Sequence, residues 1–337
     1  MITAAAHKPK ALFILNPDSA RIIYPPRLMA EIGRQVEILG PVLDAKDALT
    51  RPELLREAEV LFSGWGAPRL DNAYLAALPA LKIVFYGAGS VKGLVTDASW
   101  ARGVRVCSAW AANAVPVAEF TLAQILLSLK QTWHYMLETR RRGAHPAKIP
   151  AAGAYGSTVG LVSLGMIGRR VCNLLKPFDL KVIAYDPFVK PEAAAALGVE
   201  LCSLEDVFRR ADVVSLHTPW LKETEGLITG ALFAAMKDRA TFLNTARGAV
   251  VNEPEMIAVL QARPDLTAVL DVTWPEPPVP GSPLYTLPNV FLTPHIAGSM
   301  HGECARMGSY MLEELKLWRA GSPLQWELDA RRAALLA

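Results

Sequence analysis

From Thr158 onward, short apolar runs alternate with segments of helical period, and this rhythm constrains the fold more than any other feature of the chain. Six runs read as buried strands: TVGLVS at 158–163, KVIAYD at 181–186, DVVSLH at 212–217, TFLNT at 241–245, TAVLD at 267–271 and NVFLT at 289–293. Helical patterns at Ile167–Leu175, Leu204–Arg210, Leu232–Met236 and Glu253–Gln261 separate most of them. Strands apolar on both faces, joined by right-handed helical crossovers, predict a doubly wound parallel sheet. An earlier set repeats the rhythm: ALFIL at 11–15, VLFS at 60–63, KIVFY at 82–86 and VRVC at 104–107. Between the sets, one long helix is expected from Asn113 to Arg140, with a glycine- and proline-bearing connector after it. A last helix, roughly Gly298–Trp318, is needed to cover the outer face of the first set. The expected organisation is a discontinuous domain, 1–112 with 300–337, enclosing an inserted domain, 113–299.

The whole chain is consistent with two such domains. It has 337 residues, of which 52% are apolar and 20% charged, a globular composition. A net charge of +3 is too small and dispersed to point to a nucleic acid or a membrane surface. The densest basic run, Arg140–Arg142, complements the dipole at a helix C-terminus. Cys107, Cys172, Cys202 and Cys304 have neither C-x-x-C spacing nor nearby histidine pairs, so no metal site is expected and a reducing, cytoplasmic setting is. The first ten residues lack a signal-peptide core, and no membrane-spanning run is expected. His7, His134, His145 and His301 are expected to be structural or solvated.

Chemistry enters at VGLVSLGMIG, Val159–Gly168, where a strand runs into a helix through a glycine-bearing turn. A dinucleotide-binding turn is written G-x-G-x-x-G, and here Ser163 takes the first position. Gly165 can admit a pyrophosphate to the backbone, and Gly168 can let helix pack on strand. Ser163 is expected to fit with a negative φ, and the amides of Met166 and Ile167 to face the phosphates. Asp186 ends the next strand, about 20 residues past the glycines, where a carboxylate binds ribose hydroxyls. A 2′-phosphate would meet that carboxylate as like charge, so NAD is expected over NADP.

Ligands of such sheets bind beyond the carboxyl ends of the strands. There the chain places His217 and Thr218; Asn244, Thr245 and Arg247; Asp271 and Glu276; and His295. Taken with YGAGSV at 86–91, NAVPVAE at 113–119, LHTP, NTARG, LDVTWPEPP and TPHIAGS, the chain resembles the D-isomer-specific 2-hydroxyacid dehydrogenase family, phosphoglycerate dehydrogenase-like, over nearly its whole length. The resemblance implies a Rossmann NAD-binding domain inserted into a flavodoxin-like substrate domain. It also implies a catalytic set of Arg247, Glu276 and His295. Implied cofactor contacts are Ser163, Gly165, Met166, Ile167, Gly168, Asp186, His217, Thr218, Pro219, Thr245, Ala246 and Asp271, the last at the nicotinamide amide. Gly87, Ala88 and Gly89 are implied to offer backbone N–H groups to a substrate carboxylate.

The residue types suit reduction of a 2-keto acid. Histidine exchanges a proton near neutral pH, a carboxylate on its other ring nitrogen orients it, and arginine grips a carboxylate with two prongs. Alternatives on the same fold are a non-catalytic NAD-sensing scaffold and a phosphite- or formate-type dehydrogenase. The segments SGWGAP, GAGSVKG, TWPEPP and GSMHGE contain one lysine, one histidine and two tryptophans, which argues for a small unphosphorylated keto acid reduced to the D-hydroxy acid. The apolar pattern of 113–142 predicts a homodimer through that helical region.

Overall fold

A computed structural model describes residues 8–335, and the segment carrying His7 lies outside them. The chain divides into two compact units, Met1–Asn113 with Ser299–Ala337, and Ala114–Gly298.

The first unit holds a six-stranded sheet. Its strands are β1 (Lys10–Phe13), β2 (Glu37–Ile38), β3 (Val60–Ser63), β4 (Ile83–Tyr86), β5 (Arg105–Ser108) and β13 (Glu327–Leu328), in the order β13-β5-β4-β3-β1-β2. All pairs are parallel except β13 with β5. Because successive side chains point to opposite faces, each strand feeds two cores. Phe13, Phe62 and Phe85 stack in a row on one face, and Leu12, Leu61, Val84 and Val106 lie on the other.

The helix Cys304–Arg319 covers the phenylalanine face with Met307, Met311 and Leu315, so the tail does return. It begins later than expected because His301–Glu303 forms a short 3-10 turn before it. Buried Glu314 then ties down the segment after the helix. It accepts from the backbone N–H groups of Gln325 and Trp326 and from the Cys107 thiol. That delivers β13 to the edge of β5, where Arg105 and Glu327 pair through two hydrogen bonds.

The second unit holds a seven-stranded, wholly parallel sheet. Its strands are β6 (Thr158–Val162), β7 (Lys181–Tyr185), β8 (Glu200–Leu201), β9 (Val213–Leu216), β10 (Thr241–Asn244), β11 (Thr267–Leu270) and β12 (Val290–Leu292). The order is β12-β11-β10-β9-β6-β7-β8, with helices filling the crossovers, and the fold is the expected doubly wound one with a Rossmann domain. Phe208, Phe233 and Phe242 pack one face, and Val159, Leu161, Leu243 and Val269 the other.

Two features differ from the sequence expectation. The single long helix is two, Trp110–Leu129 and Thr132–Arg142, broken at Gln131. Gln131 adopts φ +54°, its buried amide donates to the Arg239 carbonyl at 2.9 Å, and Gly153 N–H reaches back to the Leu129 carbonyl at 2.8 Å. Apolar spacing runs through the break because one left-handed residue leaves no mark on it. Second, helix Trp110–Leu129 has the length and composition of a membrane span, with a mean hydropathy of 1.4. Its apolar character has a core partner, since Ala118, Ile125 and Leu129 pack against Val159, Leu161 and Val171.

Gly308 sits inside helix Cys304–Arg319, where a Cβ would fall 2.0 Å from the Ile23 carbonyl oxygen. Glycine to alanine in a helix interior ordinarily stabilises by up to about 1 kcal/mol. Here we expect the opposite sign, a loss of about 1–3 kcal/mol from overpacking. A higher urea midpoint for Gly308→Ala would mean that this helix and the helix Pro17–Ile23 are not held this close.

Candidate active site

The glycine turn leaves β6 and enters helix Met166–Leu175. Ser163 has φ +82°, not the negative value expected for a residue bearing a Cβ. Its surroundings hold it there. Ser163 N–H donates to the Tyr185 carbonyl at 2.8 Å, and the next amide, Leu164 N–H, donates to Asp186 Oδ2 at 2.7 Å. Ser163 Oγ lies 3.5 Å from the same carboxylate oxygen. A Cβ on Gly168 would stand 2.3 Å from the Ser163 carbonyl oxygen, so glycine is required for helix and turn to meet. At exposed Gly165 a Cβ would meet nothing within 4 Å, and no side chain caps the helix that follows. An open approach to uncapped helix amides fits a pyrophosphate. Met166 and Ile167 supply the first of those amides.

Asp186 also anchors its own loop, its Oδ1 accepting from Phe188 N–H at 2.8 Å and Val189 N–H at 3.2 Å. Oδ1 is filled by these two donors, so a ligand-facing role for this aspartate falls to Oδ2, where the Ser163 hydroxyl is only a long second contact. His217 is buried beyond β9, with Nε2 3.0 Å from Ser215 Oγ and Nδ1 without a partner among the described residues. Burial pushes its pKa down to about 4, so it is neutral at pH 7. Thr218 Oγ1 lies 3.4 Å from the Val162 carbonyl, and Pro219 follows it. Thr245 pairs hydroxyl to hydroxyl with Thr121 at 3.1 Å, and Ala246 is buried beside it.

Beyond β10, Asn244 shapes the loop that carries Arg247. Its Oδ1 accepts from Ala246 N–H at 2.9 Å and its Nδ2 donates to the Arg247 carbonyl at 3.1 Å. Gly248 has no room for a side chain, since a Cβ would fall 1.9 Å from the Thr273 carbonyl carbon. That contact brings the Arg247 loop against the one bearing Glu276. Burial lowers the Arg247 pKa, and the charge of Glu276 opposes the shift. Sequence reasoning gave Asn244 no role and passed over Gly248, although N-x-x-R-G is the signal for both.

His295 Nδ1 and Glu276 Oε1 are 2.6 Å apart, both side chains half-exposed. His295 itself has φ +54°. Asp271, 2% exposed, holds the His295 turn: Oδ1 accepts from Thr293 Oγ1 at 2.6 Å and Ile296 N–H at 2.8 Å, and Oδ2 from Ala297 N–H at 2.9 Å. The expected nicotinamide contact would have to share this carboxylate with the turn. Beside Glu276, Trp274 is 49% exposed and meets Trp220 edge to face at 4.6 Å. Trp274 N–H donates to Glu253, whose pKa burial raises.

Arg247, Glu276, Asp271 and His295 thus stand on neighbouring loops of one unit, with the glycine turn in the same sheet. Gly87, Ala88 and Gly89 follow β4 in the other unit. Their expected free amides are only partly free, because Gly87 N–H donates to the Ser63 carbonyl at 2.8 Å. Ser108 Oγ holds the carbonyls of Ala88 and Gly89. Among the described residues no group of His, Cys, Asp and Glu is arranged for a metal.

Comparison with known proteins bears on this arrangement. Residues 122–297 match the family described as D-isomer specific 2-hydroxyacid dehydrogenase, NAD binding domain. D-3-phosphoglycerate dehydrogenase of Mycobacterium bovis is 35% identical over 296 residues, 88% of this chain and 55% of that protein. The chain spans about half the length of that relative. A Bacillus subtilis protein named as a candidate 2-hydroxyacid dehydrogenase is 30% identical over 79% of each chain. The structure of apo D-mandelate dehydrogenase from Rhodotorula graminis superposes with a TM-score of 0.75 at 26% identity, covering 96% of this chain and 98% of that one.

The neutral state of His217 carries a pH signature. The unfolded chain binds a proton near pH 6.5 and the folded one only near 4, so stability is full above pH 6.5 and falls as pH drops towards 4. The slope is about 1.4 kcal/mol per pH unit, about 3 kcal/mol in all. Urea titrations of the wild type and of His217→Gln at pH 7 and pH 4.5 test this. An equal acid loss in both would remove His217 as its source.

Proposed function

Because the chain belongs to the D-isomer-specific 2-hydroxyacid dehydrogenase family, we propose that it is an NAD-dependent enzyme reducing a small unphosphorylated 2-keto acid to the D-2-hydroxy acid. The observation that carries the reading is the 2.6 Å contact between His295 Nδ1 and Glu276 Oε1. Nδ1–H given to a carboxylate leaves Nε2 as the ring nitrogen that delivers a proton to the substrate oxygen. The neutral ring left behind keeps its Nδ1–H on Glu276, so the proton moves without the imidazole turning. Arg247, stripped of much of its water by burial, is the clamp for the substrate carboxylate and steadies the developing oxyanion. The cofactor would be bound in its reduced form, NADH, which would supply the hydride and leave as NAD+. The turn at Ser163, Gly165 and Gly168 with Met166, Ile167 and Asp186 would hold it, assisted by His217, Thr218, Pro219, Thr245, Ala246 and Asp271.

An unphosphorylated substrate is supported by the wall beside Glu276. TWPEPP brings Trp274, which meets Trp220 from another loop, and no cation, and a phosphomonoester dianion calls for arginine or lysine. The discontinuous unit, with Gly87–Gly89, is proposed as the substrate-binding domain. Four unpaired cysteines, three of them buried, support a reducing cytoplasm as the setting.

A keto-acid panel followed by NADH consumption tests the function. Glyoxylate, hydroxypyruvate and short branched keto acids are expected to turn over, with NADH preferred to NADPH in kcat/KM because of Asp186. His295→Ala should lower kcat by about 10²–10⁴-fold and leave NADH affinity intact. NADH binding with no turnover of any keto acid would favour a sensing scaffold instead. A preference above about tenfold for phosphorylated hydroxypyruvate, roughly 1.4 kcal/mol, would refute the substrate reading.

A homodimer through the 113–142 region is part of the proposal. Much of helix Trp110–Leu129 is already buried, which narrows the exposed large apolar residues of this region to Leu127, Met136 and Leu137. Helix Thr132–Arg142 buries none of its residues. Light scattering at micromolar concentration should give twice the 36.6 kDa chain mass, and the monomer mass would count decisively against it.

A further inference from the structure

We propose that Thr293 is a positioning residue for His295, acting through the carboxylate of Asp271; the proposal rests on the reading of His295 as the proton donor. His295 adopts φ +54°, a region disfavoured for any residue with a Cβ, so the turn around it has to be held from both sides. Buried Asp271 does this. Ahead of His295, Oδ1 accepts from Thr293 Oγ1 at 2.6 Å, and behind it Oδ1 and Oδ2 accept from the amides of Ile296 and Ala297 at 2.8 and 2.9 Å. His295 N–H itself lies 3.1 Å from the Asp271 carbonyl and 3.0 Å from that of Thr293.

Every one of these contacts except the threonine hydroxyl is made by backbone N–H groups, so Thr293 is where a side chain decides the shape of the turn. Removing the hydroxyl leaves a buried carboxylate short of its closest donor. The segment ahead of His295 is then free to relax towards ordinary φ values, and the imidazole swings away from Glu276. A misplacement of about 1 Å at a reacting group costs up to about 100-fold in rate. Oδ2 carries a single donor, so this role is compatible with a cofactor contact at the same residue.

The test compares Thr293→Val, which keeps shape and loses the hydroxyl, with Thr293→Ser, which keeps the hydroxyl. Thr293→Ala replaces the valine variant if that does not fold. Turnover of the best keto acid, NADH affinity by fluorescence, and proton spectra of the protein with 15N-labelled histidine are recorded for each. The hydroxyl-free variant should lose about 10- to 100-fold in kcat with KM and NADH affinity little changed, and the serine variant should behave as wild type. The downfield Nδ1–H resonance, assigned to His295 by its loss in His295→Gln, should persist in the serine variant and vanish or shift upfield in the valine one. An unmoved resonance in Thr293→Val, or equal losses in the serine and valine variants, would overturn the proposal. Should wild type turn over no keto acid, the enzymatic reading fails, and the resonance alone still decides whether Thr293 positions His295.

Discussion

Everything at the candidate site depends on the parallel register of β10, β11 and β12. Asn244 pairs with Leu270, and Leu270 with Leu292, so the three strands end level with one another. Parallel strands put all their carboxyl ends on one edge, and the segments that leave them emerge side by side. Arg247 comes from the first, Asp271 and Glu276 from the second, His295 from the third. An antiparallel partner anywhere in this row would have sent one of the three to the opposite edge.

Level strand ends bring the loops near one another, but contact between side chains needs finer control. Two devices supply it. Gly248 lets its loop lie directly on the Thr273 backbone, where any side chain would collide. Asp271 fastens the His295 turn with three hydrogen bonds from a buried carboxylate. The same logic recurs far from the chemistry. Glu314 is 1% exposed and faces backbone N–H groups and a thiol rather than a cation, and it anchors the returning tail. In both cases a buried carboxyl group is tolerated because backbone N–H groups, with one hydroxyl or one thiol, replace its water, and both groups fasten a loop.

Left-handed residues mark where local preference gave way. At Gln131 a side-chain amide captured by the Arg239 carbonyl ends a helix that the apolar spacing would have continued. At Ser163 and His295 a residue with a Cβ is held at positive φ by its neighbours' hydrogen bonds. Strain of this kind concentrates at functional sites, where the surroundings over-determine the backbone. Of the five described non-glycine residues at positive φ, Ser163 and His295 lie in the proposed cofactor and proton-transfer sites, and Gln131, Arg239 and His301 are the others.

Alternation of apolar runs with helical patterns determined, from sequence alone, the doubly wound sheets and ten of the strands, because a strand buried on both faces must be apolar throughout. It missed β2, β8 and β13, each two residues long, each containing a glutamate and each at a sheet edge, where burial no longer imposes a pattern. The strand-end positions were legible as a group of polar residues, and Arg247, Glu276 and His295 were singled out among them by the resemblance of NTARG, LDVTWPEPP and TPHIAGS to family motifs, with residue types that suit the chemistry. Only the tertiary structure decided how those residues are held: the sign of φ at Ser163, the division of Asp186 and Asp271 between loop anchoring and ligand-facing capacity, and the part of Asn244, Gly248 and Thr293. Each of these depends on which backbone groups arrive from segments distant in the chain, and no local spacing encodes that.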